Sequence, residues 1–212
     1  MAKKEVPLNH LQSFIPEGSL EDVMHYLHTY KVHLTITRQR KTVLGDYRNK
    51  IFDKNHRITV NGNLNKFSFL ITLLHEIGHL LTFEKYGHKV QPHGEQWKQE
   101  YGKLLAVFIQ KNIFPQEIKH VLLKTLSNPA ASSCADVPLI RVLRKFDPVE
   151  DSDDLSSQKV LIESLQPGTL FKIEDGRVFK KGLRVRTRFK CSEVSTGKLY
   201  LFSPVYEVWP AE

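Results

Sequence analysis

The chain has 212 residues, a formal net charge of +8 and only two cysteines, Cys134 and Cys191. Two cysteines so far apart exclude a disulfide-stabilised secreted scaffold and favour a reducing compartment. The N-terminal segment lacks the apolar stretch of a signal peptide, and no apolar run is long enough to span a bilayer. We therefore expect a soluble cytoplasmic protein without membrane contact. Its length suits one ordinary domain plus a smaller one, and its positive charge favours a polyanionic partner.

The first part of the chain predicts one helix and a small three-stranded sheet. Apolar residues recur at helical spacing between Leu20 and Leu27. Residues 32–36 then alternate between apolar and polar side chains, which is typical of a half-buried strand. We expect residues 42–48 to form the hairpin partner of that strand and residues 57–61 to form a third strand.

The next segment carries the motif His-Glu-x-x-His, at His75, Glu76 and His79. On a helix this spacing places both imidazoles one turn apart on the same side. Phe, Leu and Ile cover most of the remaining circumference between residues 67 and 81, which predicts a buried helix with one polar strip. Neutral imidazoles are good zinc ligands and a neighbouring carboxylate can hold a water molecule, so the strip predicts a zinc site. The alternative is a pair of ordinary core histidines bonded to backbone carbonyls.

A catalytic zinc site needs a third protein ligand and one open position. Gly87 ends the motif helix, and Pro92-His93 directly precedes a second amphipathic helix. His93 is the favoured third ligand because it lies at the start of a helix that packs back on the first. His88 is the competing candidate because it is nearer in sequence.

These residues resemble the SprT-like zinc metallopeptidase family, which includes DNA–protein crosslink proteases. The resemblance covers roughly residues 15–150 and rests on residues 44–48, on the motif at residues 75–79 and on the run from Pro92 to Trp97. It implies an α+β fold with a zincin-like metallopeptidase domain, whose helices pack on a small three-stranded sheet. It further implies one zinc ion per chain held by His75, His79 and His93. Glu76 would be the general base and a protein would be the substrate, cleaved at a peptide bond.

The composition changes after residue 150. Residues 151–158 are rich in Asp and Ser and predict an acidic linker between a metallopeptidase domain, residues 1–150, and a second domain, residues 159–212. Short strand patterns and an Asp175-Gly176 hairpin signal predict a small β-meander for the second domain. Many SprT-like proteins carry a cysteine-rich zinc ribbon at this end. Only Cys191 is present here, so we expect no second zinc ion.

The second domain is also basic. Its main cluster contains Lys180, Lys181, Arg184, Arg186, Arg188 and Lys190. The three arginines alternate with other residues, so we expect them to lie along one strand and to share one face. Four aromatic residues are available for stacking: Phe171, Phe179, Phe189 and Tyr200. The cluster therefore predicts DNA contact through phosphates, the alternative being an ordinary solvated sheet face with the rings in the core.

Two classes of function follow from these patterns. The first is a zinc endopeptidase that acts on DNA-associated proteins, with Glu76 accepting a proton from the water that attacks the peptide carbonyl. The second is a nucleic-acid-binding or partner-binding regulatory protein whose zinc is structural. A peptidase that cleaves one regulatory protein differs from the first only in its substrate. Glu76 favours a peptidase, because a structural zinc site has no use for a general base.

Overall fold

The structure is a computed structural model that describes residues 8–40, 43–52, 54–130, 136–148 and 159–211. The chain divides into two units, residues 1–147 and 148–212. The predicted linker at residues 151–158 and Cys134 lie outside the described residues, so the predicted domain boundaries stay predictions. Within the described ranges, no helix is both long enough and apolar enough to cross a membrane.

The described residues of the first unit form five α-helices and a three-stranded sheet. The helices are α1 (Leu20–Thr29), α2 (Lys66–Tyr86), α3 (Glu95–Gln110), α4 (Gln116–Thr125) and α5 (Val137–Arg144). The strands are β1 (Val32–Thr37), β2 (Gly45–Arg48) and β3 (His56–Asn61). This mixture of helices and a small sheet confirms the predicted α+β class.

The order of the strands in this sheet is β1-β3-β2, with β3 parallel to β1 and antiparallel to β2. The predicted hairpin between β1 and β2 is therefore wrong. Ile58 and Val60 of β3 are completely buried, whereas every residue of β1 is half-buried. Alternation within a strand predicts its two faces but not its neighbours, so the central place of β3 could not be inferred from the pattern. As a result, β2 is an edge strand.

Helix α2 forms the centre of the first unit's core. Its apolar side chains from Phe69 to Leu80 are almost completely buried, and it packs against α3, β2 and β3. Burying one large apolar side chain contributes about 1.5–3 kcal/mol, so packing rather than helix propensity holds α2 in place. The prediction of a buried helix is confirmed.

The first turn of α2 is fixed by Asn65. Its side-chain Oδ1 accepts a hydrogen bond from the backbone N–H of Ser68 at 2.9 Å, as expected for an N-cap. Its Nδ2 donates to the carbonyl oxygen of Leu143 at 3.0 Å, which ties the start of α2 to α5. The cap therefore fixes both the beginning of the motif helix and its position in the unit.

The second unit is a seven-stranded sheet in its described residues. The strands are β4 (Val160–Leu161), β5 (Leu170–Lys172), β6 (Val178–Lys180), β7 (Arg184–Val185), β8 (Arg188–Glu193), β9 (Leu199–Phe202) and β10 (Glu207–Ala211). Their order is β4-β10-β5-β6-β8-β7, with β9 pairing on β8. The β5–β6 hairpin is confirmed, but the simple meander is not, because β10 returns to lie between β4 and β5. This return covers an edge of β5 that a meander would leave unpaired.

The predicted single strand through the three arginines is also wrong. The chain turns at Arg186, where φ is +55°, and continues as β8. Arg184 lies opposite Phe189, and Arg188 lies opposite Val185. Because opposed residues share a face, Arg184 and Arg188 lie on opposite faces of the sheet. Sequence could not locate this turn, because left-handed turn positions usually carry Gly, Asn or Asp.

Candidate metal centre and cleft

Three histidines of the first unit converge on one point. His75 and His79 extend from α2, and His93 comes from the segment between α2 and α3. The Nε2 atom of His93 lies 3.1 Å from that of His75 and 2.9 Å from that of His79. One nitrogen of each ring lies within 4.8 Å of the other two. Nitrogen ligands at about 2.05 Å from a tetrahedral metal lie about 3.3 Å apart, so the three rings suit one metal ion.

His93 reaches the cluster because the chain reverses after α2. Gly87 has a φ of +70°, and His93 itself has a φ of +58°. A non-glycine residue in this left-handed region is uncommon, and such strain costs of order 1–3 kcal/mol. The strain therefore falls on the residue that completes the cluster. His88, the competing candidate, lines the same cleft but is not part of the cluster.

Close packing of α3 on α2 encloses the cluster from one side. A Cβ atom at Gly78 would lie 3.0 Å from the Cβ of Tyr101 and 3.3 Å from the Nε1 of Trp97, so glycine permits the approach. The Trp97 ring packs against all three histidine rings, with centroids 4.7–5.3 Å apart. This contact was not among the features predicted from the sequence. The available signal was the position of Trp97 four residues after His93, at the start of a helix that packs back on α2.

The histidines of the cluster are neutral at neutral pH. Burial lowers the pKa of His75 to about 3 and that of His79 to about 4, and the neighbouring histidines add to both shifts. Burial also lowers the pKa of His93. Neutral imidazole is the form that binds a metal ion. The Nε2 atoms face one another and not backbone carbonyls, contrary to the alternative of ordinary core histidines.

Glu76 lies next to the cluster and is buried in the same helix. Burial, together with the charge of Asp46, raises the pKa of Glu76 to about 8, although the guanidinium of Arg40 opposes the shift. A cation held by the histidines would favour the carboxylate and lower this pKa. A Cβ atom at Gly45 would lie 2.6 Å from the Oε1 of Glu76. The backbone of β2 thus lies directly against the carboxylate and limits where it can go.

An open cleft of about 550 Å³ exposes the cluster. Its walls are residues 43–47 at β2, the polar strip of α2 and the segment of residues 87–93. Thr72 lines this cleft, and its Oγ1 is buried without a hydrogen-bond partner in the described part of the chain. The cleft therefore leaves room for a metal ion, water and a substrate beside the three histidines.

A chain of hydrogen bonds leads away from the cleft wall. The Oη of Tyr47 lies 2.9 Å from Nδ1 of His56, whose Nε2 lies 3.1 Å from Oε1 of Glu84. Lys50 Nζ lies 2.9 Å from the same carboxylate oxygen. A carboxylate only accepts, so His56 donates from Nε2 to Glu84 and the Tyr47 hydroxyl donates to Nδ1. The Tyr47 ring lies parallel to that of His79, with an angle of 6° between them.

The segment that carries these residues matches a known protein family. Residues 17–120 match the SprT-like family. Through this segment the chain belongs to the SprT-like family. No curated protein and no solved structure matches the chain. The resemblance drawn from the motifs is confirmed, over a shorter range than predicted.

The SprT-like segment includes the whole of the cleft and ends within α4. It therefore contains the three histidines, Glu76 and the chain from Tyr47 to Glu84. Helix α5 and the second unit lie outside the match. The match therefore indicates nothing about the second unit.

The predicted nucleic-acid residues of the second unit are not equivalent in the structure. Lys181 is buried, and its Nζ donates to the carbonyl oxygens of Glu163 and Leu165. It is therefore not available to a phosphate. Lys180, Arg188 and Lys190 are exposed, whereas Arg184 lies on the other face and Arg186 in the turn. Phe171 and Phe179 are completely buried in the core, as the alternative of an ordinary solvated face predicts.

Proposed function

We propose that the chain is a zinc-dependent endopeptidase with a zincin-like catalytic domain. His75, His79 and His93 hold the metal ion, and Glu76 is the general base. The observation that carries this proposal is the convergence of three neutral imidazoles beside a buried carboxylate, at the wall of an open cleft. The SprT-like match supports it, because the match covers all of these residues.

Zinc is the metal that this donor set suits best. Among the residues that the structure describes, three imidazoles and no carboxylate or thiolate converge in the cluster. Calcium and magnesium prefer oxygen ligands, whereas three histidines with an open fourth position are typical of catalytic zinc. When bound, zinc lowers the pKa of a water molecule at the open position and polarises a carbonyl oxygen.

Glu76 has the position and the environment of a proton carrier. Its burial raises its affinity for a proton, so after accepting one from the attacking water it can pass it to the amine that leaves. The products are a carboxylate and an amine, and Glu76 returns to its starting form. The backbone at Gly45 and the buried Thr72 restrict the carboxylate to the side that faces the cleft.

Substrate choice is a separate question from the chemistry. The prediction that the substrates are DNA-associated proteins rests on the net charge of +8 and on the exposed cations of the second unit. It stays a prediction. A cleavage assay on a DNA-binding protein, run with and without duplex DNA, tests it directly.

The decisive variant for the chemistry is Glu76→Gln. Glutamine keeps the size of the side chain but cannot accept the proton, so turnover should fall by about 10²–10⁴-fold. Zinc content, measured by elemental analysis, should not change. The control is Glu84→Gln, which alters a carboxylate of the same helix outside the cluster and should retain most of the cleavage of unfolded casein.

Two outcomes would contradict the proposal. Cleavage by Glu76→Gln at the wild-type rate, with zinc bound, would exclude Glu76 as the general base. Absence of cleavage by the zinc-loaded wild type, on casein and on DNA-bound protein alike, would favour the binding-protein hypothesis instead.

A further inference from the structure

The second unit exposes more large hydrophobic side chains than its size leads one to expect. Ten large hydrophobic side chains are exposed among the described residues, and six of them belong to this unit, which is the smaller one. Leu199 and Leu201 of β9 are 61% and 54% exposed. Single exposed aliphatic side chains are ordinary, but a contiguous group of them marks an interaction surface.

Strand register places these leucines beside a group of cations. Lys190 of β8 lies opposite Leu201 of β9. In the next row, Ser192 lies between Lys180 of β6 and Leu199 of β9. Opposed residues share a face, as do residues two apart on one strand, which adds Arg188 of β8. We call this surface the outer face, formed by Lys180, Arg188, Lys190, Leu199 and Leu201.

On strands β6, β8 and β9, this side of the sheet carries neither an acid nor an aromatic ring. Alternation and pairing give these outward residues on β6, β8 and β9: Val178, Lys180, Arg188, Lys190, Ser192, Leu199 and Leu201. The three cations form no salt bridge within the described part of the chain. The rings of the same strands belong to the opposite, packed face: Phe179, Phe189, Tyr200 and Phe202. The outer face therefore offers positive charge and aliphatic area. The same side of the sheet carries an acid and a ring at Glu207 and Trp209 of β10, which lies two strands beyond β6.

We propose that the outer face binds an acidic protein segment that carries aliphatic side chains. Carboxylates of the segment pair with Lys180, Arg188 and Lys190, and its aliphatic side chains cover Leu199 and Leu201. A nucleic acid satisfies the charges through its phosphates, but bases are usually held by stacking on aromatic rings, and Leu199 and Leu201 offer none. The Trp209 ring lies two strands beyond Lys180. A second copy of the chain is a poor occupant, because two identical basic faces repel each other. The proposal does not depend on the peptidase activity.

Binding by the full chain to a short labelled peptide tests the proposal. The peptide carries leucine and glutamate in turn, separated by serine, and fluorescence anisotropy reports its dissociation constant. Lys180→Glu with Lys190→Glu, and separately Leu199→Ser with Leu201→Ser, should each weaken binding by about tenfold or more. Arg184→Glu, a charge reversal on the other face, is the matched control and should bind like the wild type. Circular dichroism checks that each variant is folded.

Two further probes, a peptide without leucine and duplex DNA, distinguish a nucleic acid from a protein segment. A version of the peptide with every leucine replaced by serine should bind about tenfold more weakly than the original. Duplex DNA that binds the wild type while the peptide does not would overturn the proposal. So would peptide binding that is unaffected by the two leucine substitutions, because the face would then recognise charge alone. No binding of the peptide at low salt would also overturn it.

Discussion

In most proteins ionisable side chains are exposed and aliphatic side chains are buried, and each of the two units departs from a different half of this rule. In the first unit ionisable groups lie inside: His75 and Glu76 are only 8% and 7% exposed, on the most central helix. In the second unit aliphatic groups lie outside, at Leu199 and Leu201. Both arrangements are unfavourable for an isolated unit, because buried ionisable groups lose hydration and exposed aliphatic groups remain in contact with water.

The kind of side chain that is misplaced in each unit indicates the kind of ligand that would offset its cost. Buried imidazoles beside a carboxylate suit a cation and water, which restore the lost polar contacts. Exposed leucines beside cations suit a segment of another macromolecule, which removes apolar area from water and pairs the charges. The first kind of site is part of the core, so its tests must separate loss of function from loss of fold. The second kind lies on a surface where substitutions leave the core intact.

The largest effect is expected from the histidine cluster. His93→Ala removes one of three converging nitrogens, so zinc affinity should fall by more than about 100-fold. Loss of a group that only orients a metal ligand already costs about 10–100-fold. Elemental analysis and competition with a chelator measure the change.

His88→Ala is the matched control for that substitution. His88 lines the same cleft but lies outside the cluster, so its removal should leave zinc affinity unchanged. Zinc retained by His93→Ala and lost by His88→Ala would assign the third ligand to His88 and contradict the arrangement of the three rings.

The next largest effect is expected at Gly45, where a substitution should lower the rate of peptide cleavage without loss of the metal ion. A Cβ atom at Gly45 would lie 2.6 Å from Oε1 of Glu76 and 2.8 Å from Cγ2 of Thr72, so in Gly45→Ala the carboxylate has to move. A displacement of about 1 Å near reacting atoms can cost about 100-fold in rate. We expect a loss of that size in peptide cleavage, with zinc content unchanged. Val43→Ala, the control, shortens an exposed side chain of the same cleft wall and should keep the wild-type rate. Equal rates of cleavage by Gly45→Ala and Val43→Ala would mean that β2 does not position Glu76.

Much of the candidate metal centre could be predicted from the sequence because its geometry is local. His75, Glu76 and His79 share one helix, so the helical repeat alone fixes their relation. His93 follows soon after the end of that helix, which limits how far from the pair it can lie. The burial of α2 could also be predicted, because its apolar residues leave only one polar strip.

The parts that sequence could not predict depend on pairing between distant segments. Tyr47, His56 and Glu84 meet only because β2 pairs with β3 and both strands pack against α2. No spacing in the sequence connects these three positions. The two faces of the second unit likewise depend on a turn at Arg186, and one unpredicted turn moves Arg184 to the opposite face from Arg188. The hydrophobic pattern of a sequence predicts the type of each element and its buried face. The register and the order of the strands depend on contacts throughout the fold.

A moderate effect on stability is expected at Lys181, the buried cation of the second unit. Its Nζ donates to two backbone carbonyls and lies 4.2 Å from the centre of the Phe189 ring. Lys181→Met keeps an unbranched side chain but leaves the carbonyls without their donor, so the free energy of unfolding should fall by about 1–3 kcal/mol. Lys180→Met, the exposed neighbour, should change it by less than about 0.5 kcal/mol. Denaturant titration followed by tryptophan fluorescence, in a Trp97→Phe background that leaves Trp209 as the one tryptophan, reports on this unit. Equal losses in the two variants would mean that the buried ammonium contributes nothing specific.

The smallest effect is expected at the hydrogen-bonded chain beside the cleft. Tyr47→Phe keeps the ring parallel to His79 and removes only the hydroxyl that donates to His56. Loss of this one hydrogen bond should lower the free energy of unfolding by about 1 kcal/mol at neutral pH. Denaturant titration of the zinc-loaded protein measures the change, and Tyr86→Phe, which removes a hydroxyl outside the cleft, is the control.

The pH dependence of that loss identifies its cause. Burial lowers the pKa of His56, so as the pH falls below about 6.5 the unfolded state takes up the proton first and stability is lost. The Tyr47 hydroxyl needs an unprotonated Nδ1 to donate to, and it therefore helps to hold His56 neutral. Without the hydroxyl, folded His56 should bind a proton at higher pH, and the loss of stability with acidification should become shallower. The difference between wild type and Tyr47→Phe should accordingly be largest near neutral pH and shrink towards about pH 5, by no more than about 1.4 kcal/mol per pH unit. A difference that stays constant over this range would mean that the hydroxyl stabilises the fold without acting on His56.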